Sequence, residues 1–398
     1  MKKRIICLLL PVALIICAGC GEGENIITGT ETQTAAQTET SAVTSASEKE
    51  TTAAQTETET SSEAETTSET ETARKAAPLN TVKITPDKSI RDLTASFSYA
   101  AFSGDDGLDD FISGKGVSDD EELTNFLIRQ VIGGKAGPLF KFRGAGCSTL
   151  YTPGKSGTGY FGRNFDWKKC NGLALVCRPS KGYKSVSTVN MDFITSSSEY
   201  ELSDDVMRFC ALYAPLDGMN EKGVCVSVNM VFDKGASINQ QTSKPDLTTT
   251  TAVRLILDRA GSAKQAVELL KGYDMHASFG YVIHFAICDP SGYSAAVEYI
   301  NNKIYVTETP ALTNFYVTPG SKYGVGSQKS VKRYENIMKA LEENGKPDAA
   351  QLRDIMADAA QGGLNDYNTE WTAVFDMGAK AVTYYLRENY KKGYTIYL

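Results

Sequence analysis

Cys147, Arg163 and Asp166 stand close together in the stretch GCSTLYTPGKSGTGYFGRNFDW, residues 146–167. The run from Tyr160 to Trp167 has the aromatic, apolar character of a buried strand, yet it carries a guanidinium and a carboxylate. Charged groups enter a protein interior only when they are paired or at work. An ion pair at a sheet end is the plainest reading of Arg-x-x-Asp. The cysteine upstream suggests another, because a thiolate is a nucleophile and a neighbouring cation favours it over the thiol.

A nucleophile needs a base. The chain has only two histidines, His276 and His284, and the second lies in YVIHFAIC, where a core-strand histidine fits. A Cys–His peptidase would need one of them. No G-x-S-x-G elbow supports a serine site. The α-amine of an N-terminal residue is a third kind of base, with a pKa of about 7.7–8.0. It requires cleavage after Gly146, so that Cys147 becomes residue one. The small residues Gly144, Ala145 and Gly146 let the thiol reach its own preceding carbonyl.

Cys147 with Phe161-Gly162-Arg163-Asn164-Phe165-Asp166 resembles the choloylglycine hydrolase family of N-terminal nucleophile hydrolases, which act on linear amide C–N bonds. Bile salt hydrolases and penicillin V acylases belong to it and, more distantly, N-acylethanolamine acid amidase and acid ceramidase. Arginine 16 and aspartate 19 residues after the cysteine is the family's spacing. The resemblance implies oxyanion-hole roles for Asn229, in SVNMV after DGMNEKG, and for Asn314 in LTN. It implies a catalytic arginine at Arg333 in SVKRY. Arg163 is then expected to lower the thiol pKa, and Asp166 to accept a hydrogen bond from the new α-amine. The implied reaction is amide hydrolysis through a thioester, with no metal and no cofactor. Conjugated bile salts, penicillin V and N-acyl amino acids are the implied substrates. Two departures stand out: Arg333 follows Asn314 by only 19 residues, and a long leader precedes Cys147.

The elements that must position these groups can be read coarsely. STLYT, TGYFGRNFDW, GLALVCRP and KSVSTVNMDF read as strands, followed by a helical stretch over 203–213 and a hairpin through Asn220-Glu221-Lys222-Gly223. Helices are expected at TTTTAVRLILDRAG and at SAKQAVELLKGY, which opens with the capping-box pair Ser262 and Gln265. Strands over 281–309, helices over 328–344 and 348–360, and a final strand pair complete the pattern. Strand blocks alternating with helix pairs read as an α+β domain, two antiparallel sheets with helices outside. The resemblance implies the four-layer αββα arrangement for residues 147–398. In the leader, residues 79–146, one helix is expected, with Leu123, Phe126, Leu127 and Val131 as its apolar stripe.

The rest of the chain concerns location. MKKRIICLLLPVALIICAGC has a basic start and an apolar run too short to span a bilayer, the pattern of an export signal over residues 1–19. It resembles a bacterial lipoprotein signal, with Cys20 as the lipid-bearing residue; an ordinary secretory signal is the alternative. Residues 20–78 are Thr-, Glu- and Ser-rich, expected to be a disordered tether spanning roughly 40 Å. The chain is therefore expected at the outer face of the bacterial cytoplasmic membrane, held by its lipid, or secreted. Of 398 residues with net charge −7, nothing basic clusters as a nucleic-acid surface would. The expected partner is a small N-acyl amide, with oligomeric state open and a homo-oligomer allowed. Of nine cysteines, the six from Cys147 on show no metal-ligand spacing. A surface solute-binding lipoprotein remains the other class, and it would have no need of Cys147, Arg163 and Asp166 together.

Overall fold

The computed structural model describes residues 79–131, 138–140, 146–154, 158–196, 202–362 and 367–398. The expected export signal, Cys20 and the expected tether lie outside them. Period-two alternation organises the strand Tyr160–Lys168. Phe161, Phe165 and Trp167 join an apolar layer with Cys147 and Tyr151 of the strand Gly146–Thr152. The intervening residues face the other way, where a Cβ on Gly162 would lie 2.8 Å from the Met356 side chain of helix Ala349–Asp358. Only glycine allows that helix so close.

Seven strands make one sheet, in the order Thr81–Ile84, Gly393–Tyr397, Ala381–Leu386, Tyr367–Asp376, Tyr160–Lys168, Gly146–Thr152 and Ala311–Leu312. Nine make the other: Lys303–Glu308, Ser294–Ile300, Ile283–Cys288, Cys225–Met230, Asp217–Asn220, Ser185–Asn190, Gly172–Pro179, Phe97–Gly104 and Arg91–Thr94. The two sheets pack face to face through a core that includes Phe165, Trp371 and Phe375 from the first and Val176, Met219 and Ala286 from the second. Phe165 and Trp371 stack at 4.0 Å, an arrangement that contributes about 0.5–1.5 kcal/mol beyond its buried area.

Helices cover both outer faces. Thr249–Arg259 and Ala263–Lys271 share a core with the nine-stranded sheet. Gln328–Asn344 and Ala349–Asp358 pack on the seven-stranded sheet around Leu150, Ile337 and Val374. Asp348 caps the latter helix through the Ala350 and Gln351 N–H groups, a contact of about 1 kcal/mol. At the other helix pair, Ser262 accepts from the Gln265 N–H, but Gln265 Oε1 accepts from Gly261 rather than Ser262. The result is a four-layer αββα fold.

Every pairing among residues 146–398 in these two sheets is antiparallel. The two parallel joints both bring in leader strands that the sequence reading did not place: Thr81–Ile84 beside Gly393–Tyr397, and Phe97–Gly104 beside Gly172–Pro179. Leader residues thus border both sheets. The expected leader helix spans Asp120–Val131 and buries Leu123, Phe126 and Leu127 in the outer core of the nine-stranded sheet. All six described cysteines are buried and reduced, and Cys225 stands directly opposite Cys288 in the ladder.

Candidate active site

Cys147 lies at the start of its strand, opposite Phe165, with its thiol in the layer between the sheets. Arg163, two residues before Phe165, points into the same layer. Its Nε donates to Asp217 Oδ2 at 3.2 Å, its Nη2 donates to the Val228 carbonyl at 3.2 Å, and its Nη1 donates to the Asn164 carbonyl. Three acceptors fix the guanidinium, and Asp217 is itself held by the Trp371 indole at 3.2 Å. Burial pushes the Cys147 thiol up. The Arg163 charge and hydrogen bond, with the Asp166 main-chain N–H, pull it down without overcoming that burial. The expected lowering by Arg163 is therefore present, and desolvation outweighs it while the thiol is sealed inside the continuous chain.

The strand Gly146–Thr152 has a neighbour along its whole length on one side only. On the other side Ala311–Leu312 pairs with just Leu150 and Thr149. Beyond that short ladder Asn314 takes over, its Oδ1 accepting from the Cys147 N–H at 2.8 Å and from Arg333 Nη2 at 2.8 Å. Arg333, on helix Gln328–Asn344, also reaches Ser148 Oγ at 3.1 Å and the Cys147 carbonyl at 3.4 Å. Asn314 Nδ2 donates to the Met230 carbonyl at 2.7 Å, and Asn229 Nδ2 donates to the Leu312 carbonyl at 3.2 Å. Each amide nitrogen has two hydrogens, so each has a second to offer an oxyanion. Gly326 seals the segment: a Cβ there would stand 2.4 Å from the Asn314 carbonyl.

Asp166 faces away from the thiol layer, opposite Gly146 in the ladder. Its Oδ1 accepts from Thr369 Oγ1 at 2.7 Å. Its buried Oδ2 makes no hydrogen bond among the described residues, with the Gln361 amide nearby. Burial raises its pKa against the pull of Arg333. In this continuous chain the Cys147 N–H is thus held by Asn314 and not by Asp166. Neither histidine is free to serve the thiol: His276 binds Asn239 and Asp246, both at 2.8 Å, and His284 binds Glu298 and the Thr313 carbonyl.

Five of the expected residues, Arg163, Asp166, Asn229, Asn314 and Arg333, therefore gather around Cys147, from strands of both sheets, the segment after Ala311–Leu312 and one helix. Cys20 lies outside the described residues, as do residues 141–145. The sequence reading missed Asp217, Thr369 and Ser148. Asp217 opens the quoted DGMNEKG run, and a buried carboxylate was the signal to notice. Thr369 and Ser148 carry no local signal.

Residues 152–391 match the family described as acyl-coenzyme A:6-aminopenicillanic acid acyl-transferase. That span is about three fifths of the chain; it begins just after Cys147 and includes the other five site residues. No curated protein matches the chain. Among solved structures, a penicillin V acylase from Agrobacterium tumefaciens aligns over 60% of this chain and 83% of its own, at 17% identity and a TM-score of 0.45. A mutant conjugated bile acid hydrolase from Clostridium perfringens aligns over 60% and 89%, at 17% identity and 0.44. An N-acylethanolamine-hydrolyzing acid amidase ortholog of Caenorhabditis elegans aligns over 58% and 93%, at 12% identity and 0.39. Likenesses at this level add no weight to a functional reading.

Proposed function

The chain belongs to the acyl-coenzyme A:6-aminopenicillanic acid acyl-transferase family, and from that premise we propose that it is a cysteine amidohydrolase of N-acyl compounds. The observation that carries the proposal is the convergence on one peptide. The Gly146–Cys147 bond lies between the thiol and Arg163 on one face and Asn314, Arg333 and Asp166 around its end.

Self-cleavage comes first. The Cys147 thiol attacks the Gly146 carbonyl, the C–N bond breaks, and the acyl group passes from nitrogen to sulfur. Water then hydrolyses the thioester, freeing the Gly146 carboxyl and the Cys147 α-amine. Opening this end of the strand to water removes part of the burial that raises the thiol, and the Arg163 charge then favours the thiolate.

In turnover the free amine takes the thiol proton and the sulfur attacks the substrate carbonyl. The second hydrogens of Asn314 Nδ2 and Asn229 Nδ2 donate to the developing oxyanion. Losing one such donor costs about 3–4 kcal/mol of barrier. Arg333 holds Asn314 Oδ1, and Asp166 Oδ2 is the acceptor available to the new ammonium. The amine leaves with the proton, and water cleaves the thioester.

The leader remains docked after the cut, because its strands border both sheets and its helix is buried. With an export signal over residues 1–19, a lipid on Cys20 and a tether, the enzyme works at the outer face of the membrane. A conjugated bile salt, penicillin V or an N-acyl amino acid is the substrate class. Intact-mass and N-terminal sequencing of purified protein test the cleavage, with two co-purifying fragments expected, one starting at Cys147. A panel of glycine- and taurine-conjugated bile acids, penicillin V and N-acyl amino acids tests the reaction. Full activity from an uncut chain, or no turnover on any member, overturns the reading.

A further inference from the structure

We propose that His284 and Glu298 form a positioning pair that sets the Asn314 amide in place, a reading that rests on the reaction proposed above. The two residues face each other in the ladder between strands Ile283–Cys288 and Ser294–Ile300, and both are 0% exposed. His284 Nδ1 is 2.9 Å from Glu298 Oε1, and His284 Nε2 is 2.6 Å from the Thr313 carbonyl. A carbonyl can only accept, so Nε2 carries a proton. Glu298 Oε1 also accepts from the Val317 N–H at 3.0 Å, and Oε2 accepts from the Thr318 N–H at 2.7 Å. A carboxyl receiving main-chain donors on both oxygens acts as an acceptor, and His284 Nδ1 is committed to it. Burial would push the Glu298 carboxyl up, but the His284 hydrogen bond and charge, with Thr318 and Val317, hold it below the usual range.

The pair grips the segment around Asn314 at three points: the residue before it, Thr313, and the residues three and four beyond it, Val317 and Thr318. Asn314 lies between these grips, and its side chain reaches Cys147, Arg333 and Met230. His284 also stands directly opposite Asn229 in the neighbouring ladder. An imidazole with both nitrogens committed to these partners has neither free to take a proton from a thiol. What it can do is hold a turn of chain rigid, and oxyanion donors act only within a few tenths of an ångström of their place.

The test is a double-mutant cycle between this pair and Asn314, read as kcat, KM and the rate of self-cleavage. His284→Gln and Glu298→Gln are each made alone and with Asn314→Ala; if one fails to fold, the other supplies the cycle. In a folded single variant, kcat is expected to fall about 10–100-fold with KM within about twofold, below the 10²–10³ of a lost oxyanion donor. In the Asn314→Ala background the same substitution is expected to add less than about twofold, because the pair acts through Asn314. His284→Gln with Glu298→Gln restores a neutral donor–acceptor couple and is expected to regain part of kcat over the worse single variant. Losses that multiply fully with Asn314→Ala, or unchanged kcat in a folded variant, overturn the inference. A wild-type chain that neither cuts itself nor turns over any amide overturns the proposed reaction instead.

Discussion

Arg163 and Arg254 are both 0% exposed, and each faces an aspartate and a cysteine thiol. In composition the two clusters, Arg163–Asp217–Cys147 and Arg254–Asp258–Cys177, are the same. Burial pushes both thiols up against the pull of the arginine, Cys177 to about 11. They differ in what surrounds the sulfur and how firmly the cation is held. Arg163 is fixed by a carboxylate and two main-chain carbonyls. Arg254 reaches Ser185 and Asp258 at 3.3 and 3.5 Å through Nη2 alone, and its Nε and Nη1 make no hydrogen bond among the described residues. Cys177 is locked between two ladders, opposite Ser185 and Phe102. Cys147 has a ladder on one side and, on the other, Asn314 and Arg333. A buried thiol beside an arginine is therefore not by itself a candidate site. What sets Cys147 apart is its place at a strand end, where side chains rather than another strand meet its backbone.

The largest effect should come from exchanging the two thiols' fates. Cys147→Ala is expected to abolish self-cleavage and lower turnover by at least about 10⁴-fold, seen as one uncut chain by mass. Cys177→Ala should keep both within about twofold and cost about 1 kcal/mol in denaturant melts. Loss of activity from Cys177→Ala in a folded protein would erase the distinction. Next, Asp217→Ala strands the Arg163 charge in the core and should cost about 3–5 kcal/mol of stability. Asp258→Ala should cost less, because Arg254 reaches it only at 3.5 Å, whereas Asp217 receives Arg163 Nε and the Trp371 indole at 3.2 Å; burial lifts both carboxyls, that of Asp258 to about 7.

That lifted carboxyl has a pH signature. The folded protein holds the Asp258 proton more tightly than the unfolded chain does. Its contribution to stability is complete below the ordinary carboxylate range and is lost as pH rises through about 7. Melting temperatures from pH 4 to 8 should show this fall, and Asp258→Asn should flatten it while leaving the Arg163 cluster untouched. An unchanged slope would mean another group carries the dependence. The smallest effect is expected at His276→Ala, with kcat/KM within about twofold, since His276 binds Asn239 and Asp246 and not the thiol. A folded but inactive His276→Ala enzyme would restore a histidine base.

Strands and helices from Cys147 onward were legible because their signals are local. Aromatic alternation marks Tyr160–Lys168, Ser262 starts a helix, and Asn301 and Asn302, both with positive φ, mark a turn. The leader strands were not legible. Arg91–Thr94 is half exposed, and Phe97–Gly104 buries only part of its length, so neither shows a clean alternation. Arg91–Thr94 pairs with its hairpin neighbour Phe97–Gly104, whose other partner Gly172–Pro179 is distant in sequence, and Thr81–Ile84 pairs with Gly393–Tyr397 at the far end of the chain. In the site, Arg163, Asp166, Asn229, Asn314 and Arg333 could be named from motifs. Asp217 as the Arg163 anchor, Thr369 as the Asp166 partner, and the grip of Glu298 on residues 317 and 318 could not, because each is a contact across sheets or ladders.

The sequence by itself determined the inventory: which thiol, which cation, which amides, and the alternation that aims Arg163 to one side of its strand and Asp166 to the other. Those follow from residue type and from a period of two, which the backbone imposes locally. The tertiary structure decided the balance of forces. Whether Arg163 or burial prevails at the Cys147 sulfur depends on how many atoms from both sheets exclude water there. Which acceptor holds the Cys147 N–H depends on where a strand more than 160 residues away stops pairing. Desolvation and ladder register are sums over distant chain segments, and no window of sequence contains them.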